Sequence, residues 1–196
     1  LVEMQEIAES GAKVLHNRCV QIGKRFDCNI IAKSTFIDSE GTKICKEIES
    51  TEVKSIVKNE KLIQINMSIP KQISKKVMLN MYQDLLENNI IVESFRKEGN
   101  SNIQFRANIA ELNKILELLE RKYQEFEVRQ NNIVKLSIVG YGITQDNTIL
   151  DKTIEILNKN ELEIIDINLT QSKIEIILKD IENFILEELH RQLIKD

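Results

Sequence analysis

Two histidines, His16 and His190, are little material for a metal centre or a histidine-based triad in 196 residues. The three cysteines, Cys19, Cys28 and Cys45, are odd in number, widely spaced and confined to the first quarter. They fit neither a disulfide framework nor a clustered metal site, so buried free thiols are expected. No apolar run approaches the roughly 18 residues of a membrane span, and no charged n-region with a following h-region opens the chain. The sequence therefore reads as cytosolic with no membrane partner. A net charge of -4, from 31 acidic and 27 basic residues, lacks the electrostatic footprint of a nucleic-acid binder. Aromatic and basic residues do not interleave into a stacking groove, and no nucleic-acid partner is expected. A glycine-rich loop followed by Lys and Ser/Thr is missing, as is a nucleophile elbow.

What is present is ordinary globular material, 42% hydrophobic and 30% charged, enough for one good core or two small ones. Leu1 is not an initiator methionine and helical pattern begins at once, so the chain is expected to be a piece of something longer. Two short helical patterns occupy residues 3–28, with Asn17 as N-cap of the stretch to Phe26. Ile30 to Thr35 reads as a strand, Asp38 to Gly41 as a turn, and the polar stretch through Ser50 as a connector.

From Val53 the pattern becomes regular. Ile63, Ile65, Met67 and Ile69 alternate with polar residues, as in a half-buried strand. The single proline, Pro70, introduces a helix striped by Ile73, Val77, Met81 and Leu85. Ile90 to Phe95 is a second strand. After a turn at Gly99–Asn100, Ile103, Phe105 and Ala107 mark a third. Ile109, Leu112, Leu116 and Leu119 line a second helix. The series then recurs: a strand at Val134 to Val139, a helix striped by Leu150, Ile154 and Leu157, strands at Leu162 to Ile167 and Lys173 to Leu178, and a helix on Ile181, Ile185, Leu189 and Leu193. Equivalent elements are offset by about 72 residues, with Asn89 mapping near Glu161. Two βαββα units in succession predict an α+β fold of two ferredoxin-like domains, antiparallel sheets with helices on one face. Units this small have open sheet edges and gain stability by packing together, which leaves a crevice suited to a small ligand.

Candidate acid/base pairs such as Glu117 with Glu120, or Glu187 with Glu188, fall on helix faces expected to be solvated. Gly140-Tyr141-Gly142 is the one glycine pair in a strand-to-helix loop, and such a pair alone says little about anion binding. No catalytic residue or metal ligand is assigned.

Ser10-Gly11-Ala12-Lys13-Val14-Leu15-His16 closely resembles a stretch of aspartate kinases, where their catalytic domain ends and their regulatory region begins. Ile30 to Thr35 followed by Ser39-Glu40-Gly41-Thr42 is similar to that family's closing strand and "S-x-x-G-T" segment. Lys135-Leu136-Ser137-Ile138-Val139-Gly140-Tyr141-Gly142 resembles its "K-(V/L)-S-(I/V)-V-G-x-G" strand. The resemblance implies two ACT domains of βαββαβ order in tandem, the first inserted in the second. Residues 1–50 would be the tail of the catalytic domain and a linker, 62–131 the first ACT domain, and 52–61 with 132–196 the second. It further implies an allosteric region that binds lysine and/or threonine as feedback effector, forms a homodimer through its ACT domains and serves its own kinase domain. ATP and Mg belong to that kinase domain, which phosphorylates aspartate, and no cofactor is implied within this fragment.

Departures from the family pattern fall on the effector loop. An Asp, a Pro and a Gly are replaced by Lys71, Ile73 and Ser74, and the strand "N-I-N-V-D" reads Asn89-Ile90-Ile91-Val92-Glu93. In the second unit, "S-E" reads Thr170-Gln171. A site is expected around Ser68, Lys71, Gln72 and Ser74 and around Ile91, Val92, Glu93 and Ser94, with Thr170 and Gln171 as counterparts. Helix N–H groups after Pro70 would take the effector carboxylate and Glu93 its ammonium. The alternative is an oligomerisation module whose ligand site has decayed.

Overall fold

The computed structural model describes residues 1–45, 52–69, 72–145 and 147–194. The chain forms two compact units, Glu60–Val134 and Leu1–Asn59 with Lys135–Asp196. It passes from one to the other inside a long strand, β3 below, and returns inside another, β6. The elements that open the chain are α1 (Val2–Glu9), α2 (Asn17–Arg25), β1 (Ile30–Ala32) and β2 (Thr42–Ile44). They are followed by β3 (Ser55–Ser68), α3 (Lys75–Glu87), β4 (Val92–Glu98), β5 (Asn102–Asn108), α4 (Leu112–Lys122) and β6 (Glu127–Val139). The chain closes with α5 (Thr148–Lys159), β7 (Ile164–Thr170), β8 (Lys173–Leu178) and α6 (Asn183–Leu193).

In the Glu60–Val134 unit the strand order is β4-β5-β3, all antiparallel, with Ile63 opposite Ala107 and Met67 opposite Ile103. The alternation read from the sequence has its physical reason here. Ile63, Ile65, Met67, Ile103, Phe105 and Ala107 point to one face and join Met81 and Leu85 of α3 and Ile115, Leu118 and Leu119 of α4 in one core. Both helices therefore lie on that face. The other face carries a buried polar ladder, in which Gln104 donates to Asn66 at 2.9 Å and Arg106 to Gln64 at 3.2 Å. In α4 Leu119 of the expected stripe is buried and Leu112 packs half-buried against the core, Ile115 and Leu118 join them, and Ile109 stays exposed in a short 3₁₀ turn before the helix.

The other unit has the order β6-β8-β7, and Leu136 and Ile138 of β6, Ile156 and Leu157 of α5 and Ile185 and Leu189 of α6 are each buried. The reverse face of β6 receives α1: Ile7 packs with Val57 and Val139. The repeat extends to backbone detail. Asn89 and Glu161 both adopt left-handed φ, 54° and 55°. Ile90 N donates to Leu85 O at 2.9 Å, and Leu162 N to Leu157 O at 3.1 Å. The side chains of Asn88 and Asn160 both bond back to the preceding turn, at 2.7 and 2.8 Å. The β4–β5 ladder slips between Val92 and Ser94, and the β7–β8 ladder between Ile164 and Asp166.

Several expectations are corrected. Cys19 and Cys28 are exposed and Cys45 is half-buried, because α2 turns Val20 and Gly23 inward and Cys28 follows the turn that ends it. The cap of α2 is His16, whose Nδ1 accepts from Arg18 N at 3.2 Å; Asn17 is the first helical residue. The polar connector contains β2, which pairs with β1; its continuation through 46–51 lies outside the described residues. The helix expected right after Pro70 starts at Lys75, since the Ser74 hydroxyl accepts from Val77 N at 3.3 Å and caps it there. Among the described residues no helix is long and apolar enough to cross a membrane.

Candidate functional site

The expected site residues of the first repeat fall into two groups. Ser68 ends β3 and pairs with Asn102, which in turn faces Glu98. Beyond it, Ile69 N donates to Ser101 O at 3.1 Å and Ile73 N to Asn100 O at 2.8 Å. The Lys97 ammonium donates to Ile73 O at 2.9 Å. These bonds fasten the loop that carries Gln72 and Ser74 to the tip of the β4–β5 hairpin. Lys71 lies outside the described residues.

Ile91, Val92, Glu93 and Ser94 sit at the opposite end. Val92 pairs with Ala107, which pairs with Ile63 at the far end of the sheet. The two groups are thus separated by the length of β4, about 20 Å at the usual strand rise. One copy of this unit does not bring them together. Glu93 is the residue at the ladder slip, and a bulge there turns an extra side chain outward; Glu93 is exposed. β4 is outermost in its sheet order, so one side of its backbone faces away from the ladder. Ile91 is 79% exposed, and Leu79, Tyr82 and Leu86 form an exposed apolar stripe along α3.

Thr170 and Gln171 belong to the other unit, where they hold a loop. Thr144 Oγ1 donates to Thr170 O at 2.9 Å, Gly142 N to Gln171 O at 2.8 Å, and Gln171 Nε2 to the Tyr141 hydroxyl oxygen at 2.8 Å. The Gly140–Gly142 pair is explained by packing and backbone conformation. A Cβ on Gly140 would stand 2.1 Å from Glu52 O, and Gly142 has φ +75°.

An ionic cluster on α1, β6 and β8 was not expected from the sequence. Lys173 Nζ lies 3.0 Å from both Glu6 and Glu175, and Lys135 is 3.9 Å from Glu175. Ser172 donates to Glu6 at 3.1 Å, and Tyr141 N donates to Glu3 at 3.1 Å. Burial on its own would lower the Lys173 pKa; the bonds and charges of Glu175 and Glu6 outweigh it and raise it. Polar Lys135 and Ser137 alternating with apolar residues in β6 were the available signal. Among the described residues no group of His, Cys, Asp and Glu could hold a metal ion.

No protein-family model matches the chain. An aspartokinase of Rickettsia felis is 31% identical over 189 residues, which is 91% of this chain and 46% of that protein. The chain spans about half the length of the curated relatives it matches. Its fold is that of the regulatory subunit of aspartate kinase from Thermus thermophilus in its ligand-free form, with a TM-score of 0.63, 20% identity, and coverage of 73% of this chain and 99% of that one. It is also similar to E. coli aspartokinase III solved with lysine and aspartate in the T-state, with a TM-score of 0.74, 15% identity, and coverage of 98% and 45%. The ferredoxin-like ACT architecture and the resemblance to aspartate kinases read from the sequence both stand.

Proposed function

We propose that this chain, which matches aspartokinases over nine-tenths of its length, is the regulatory portion of an aspartate kinase: it binds an amino-acid effector and pairs with a second copy of itself. The observation that supports this best is the doubled unit, conserved down to its left-handed residues and its ladder slips. In this reading 62–131 is the first ACT domain, and 52–61 with 132–196 the second. Residues 1–50 are the tail of the kinase domain, in which ATP and Mg support phosphorylation of aspartate. The protein works in the cytoplasm.

The effector site forms between copies. Antiparallel pairing of two β4 edges across a two-fold axis sets the start of one strand beside the end of the other. Ile91 to Ser94 of one copy then approach the loop of Gln72 and Ser74 of its partner. Glu93 accepts from the effector ammonium, and the first-turn N–H groups of α3, flanked by Lys75 and Lys76, receive its carboxylate. Lysine and threonine are the candidate effectors; lysine is present in the E. coli structure. Calorimetric titration with lysine and threonine tests the site. Saturable binding weakened at least tenfold by Glu93→Ala supports it, and unchanged affinity in that variant removes it.

A second reading, a pure oligomerisation module, draws on the exposed stripe Leu79, Tyr82 and Leu86 and on a lysine at position 71, which repels an ammonium. It predicts dimers with no saturable binding of either amino acid.

A further inference from the structure

The short helix α1 lies on the reverse face of β6, and much of what holds it there is polar. Its apolar contact is narrow: Ile7 meets Val57 and Val139, with Ala12 packed beside them. Two carboxylates of α1 add polar contacts. Glu6 accepts from the Ser172 hydroxyl at 3.1 Å and lies 3.0 Å from the Lys173 ammonium. Glu3 accepts from Tyr141 N at 3.1 Å. Both carboxylates thereby reach loops that are joined to each other. Gly140 N donates to Ser172 O at 3.0 Å, Gly142 N to Gln171 O at 2.8 Å, and Gln171 Nε2 to the Tyr141 hydroxyl oxygen at 2.8 Å. Residues 140–142 and 171–172 are one hydrogen-bonded pair of loops, and α1 is fastened to each.

This seat is costly to form. By strand alternation Ser137 shares a face with Lys135 and Val139, the face that Ile7 meets. Ser137 is fully buried and Ser10, at the end of α1, is 1% exposed, yet neither hydroxyl has a hydrogen-bond partner. A hydroxyl buried in that way forfeits its bonds to water. With little apolar area and two unpaired hydroxyls, the bonds of Glu3 and Glu6 decide whether α1 stays down.

We infer that α1 is a detachable clasp: it leaves the sheet as a unit while the rest of the fold stays intact, and its docking is coupled through Glu3 and Glu6 to the paired loops at 140–142 and 171–172. When it lifts, Ser10 and Ser137 regain water. Lys173 gives up Glu6 and keeps Glu175, also at 3.0 Å. The lysine is therefore never left as a lone shielded charge, which keeps the cost of opening small. The coupling is reciprocal: whatever firms the loops holds α1, and whatever loosens them releases it. The clasp follows from these contacts and is independent of Glu93. Its use as a link to a kinase domain rests on the reading above, in which residues 1–50 are that domain's tail.

Amide hydrogen exchange on the whole chain, followed by NMR, tests the clasp. The amides of Ser10 and Ala12, which bond back into α1, are expected to exchange at least tenfold faster than those of Leu136 and Ile138. Their exchange should depend little on urea, since the opening exposes little surface. Ile185→Val, which thins the core on the other face of the sheet, speeds Leu136 and Ile138 and leaves α1 unchanged. Glu6→Gln speeds exchange of α1 at least tenfold and speeds Tyr141 and Gly142 with it. Gln171→Ala, on the exposed loop and away from α1, speeds α1 at least threefold. The comparison on unsubstituted protein decides the matter if Glu6→Gln fails to fold. Amides of α1 that share the rate and urea dependence of Leu136 and Ile138 overturn the inference. So does α1 exchange that is unmoved by Glu6→Gln or by Gln171→Ala.

Discussion

At the scale of single residues, stability rests on a few shielded charges. Lys173, with its side chain 13% exposed, bridges Glu6 of α1 and Glu175 of β8. Its pKa is raised in the fold, so its contribution is complete below its ordinary value of 10.5 and is lost as pH rises through the raised value. Lys173→Met should cost roughly 1–3 kcal/mol in urea unfolding near neutral pH, between the exposed and buried limits for an ion pair. The gap to the parent chain should narrow as pH rises through the raised value. Asp84 behaves in the opposite sense. Bonds from Lys122 and from the Tyr123 hydroxyl, the latter at 2.6 Å, hold its carboxyl below the usual value of 3.8. Its contribution is present above that value and disappears as pH falls through the lowered one. Tyr123→Phe should lose about 1–2 kcal/mol at pH 7, and less as pH falls through the lowered Asp84 value, in the same urea experiment. Neither cluster was legible in the sequence, because the partners lie far apart in the chain: Asp84 with Tyr123, Glu6 with Lys173. Periodicity reports which face a residue takes and is silent about what it meets there.

At the scale of elements, the reading from sequence worked where alternation was long. Ile63, Ile65 and Met67 became a strand whose apolar residues join one core, and in Lys173 to Leu178 buried Ile174 and Ile176 alternate with half-buried Lys173 and Glu175. It failed where other forces set the boundary. Thr42-Lys43-Ile44 is too short to show a period and is a strand through its pairing with Ile30 to Ala32. The start of α3 follows the Ser74 cap and the bond from Ile73 N to Asn100 O, where Pro70 had suggested an earlier one. The ends of α3 and α5 give a cleaner lesson. Position 89 has an asparagine, which tolerates left-handed φ, and the repeat places Glu161 in the same conformation without that tolerance. Glu161→Gly should therefore raise stability by about 0.5–1 kcal/mol, since relief of strain exceeds the entropy a glycine adds to the unfolded chain. Asn89→Gly should change it by less. Thermal unfolding of the two variants side by side checks the difference. Conversely Gly140→Ala should destabilise the chain by more than 1 kcal/mol, because the added methyl group meets the Glu52 backbone with no side-chain rotation to relieve it.

For the whole molecule, the candidate site was only partly legible. The family pattern pointed to two stretches, Ser68 to Ser74 and Ile91 to Ser94, as the candidate site. It did not show that they occupy opposite ends of one sheet, because strand order decides that. With β4 outermost, a ligand that touches both stretches has to bridge two copies. Binding and self-association are then linked: whatever binds only the pair must also tighten the pair. The most direct measurement is sedimentation equilibrium of this chain with and without saturating lysine or threonine. One of these amino acids should strengthen dimerisation at least tenfold, and Glu93→Ala should abolish the gain. An association constant unchanged by both amino acids would contradict the linkage.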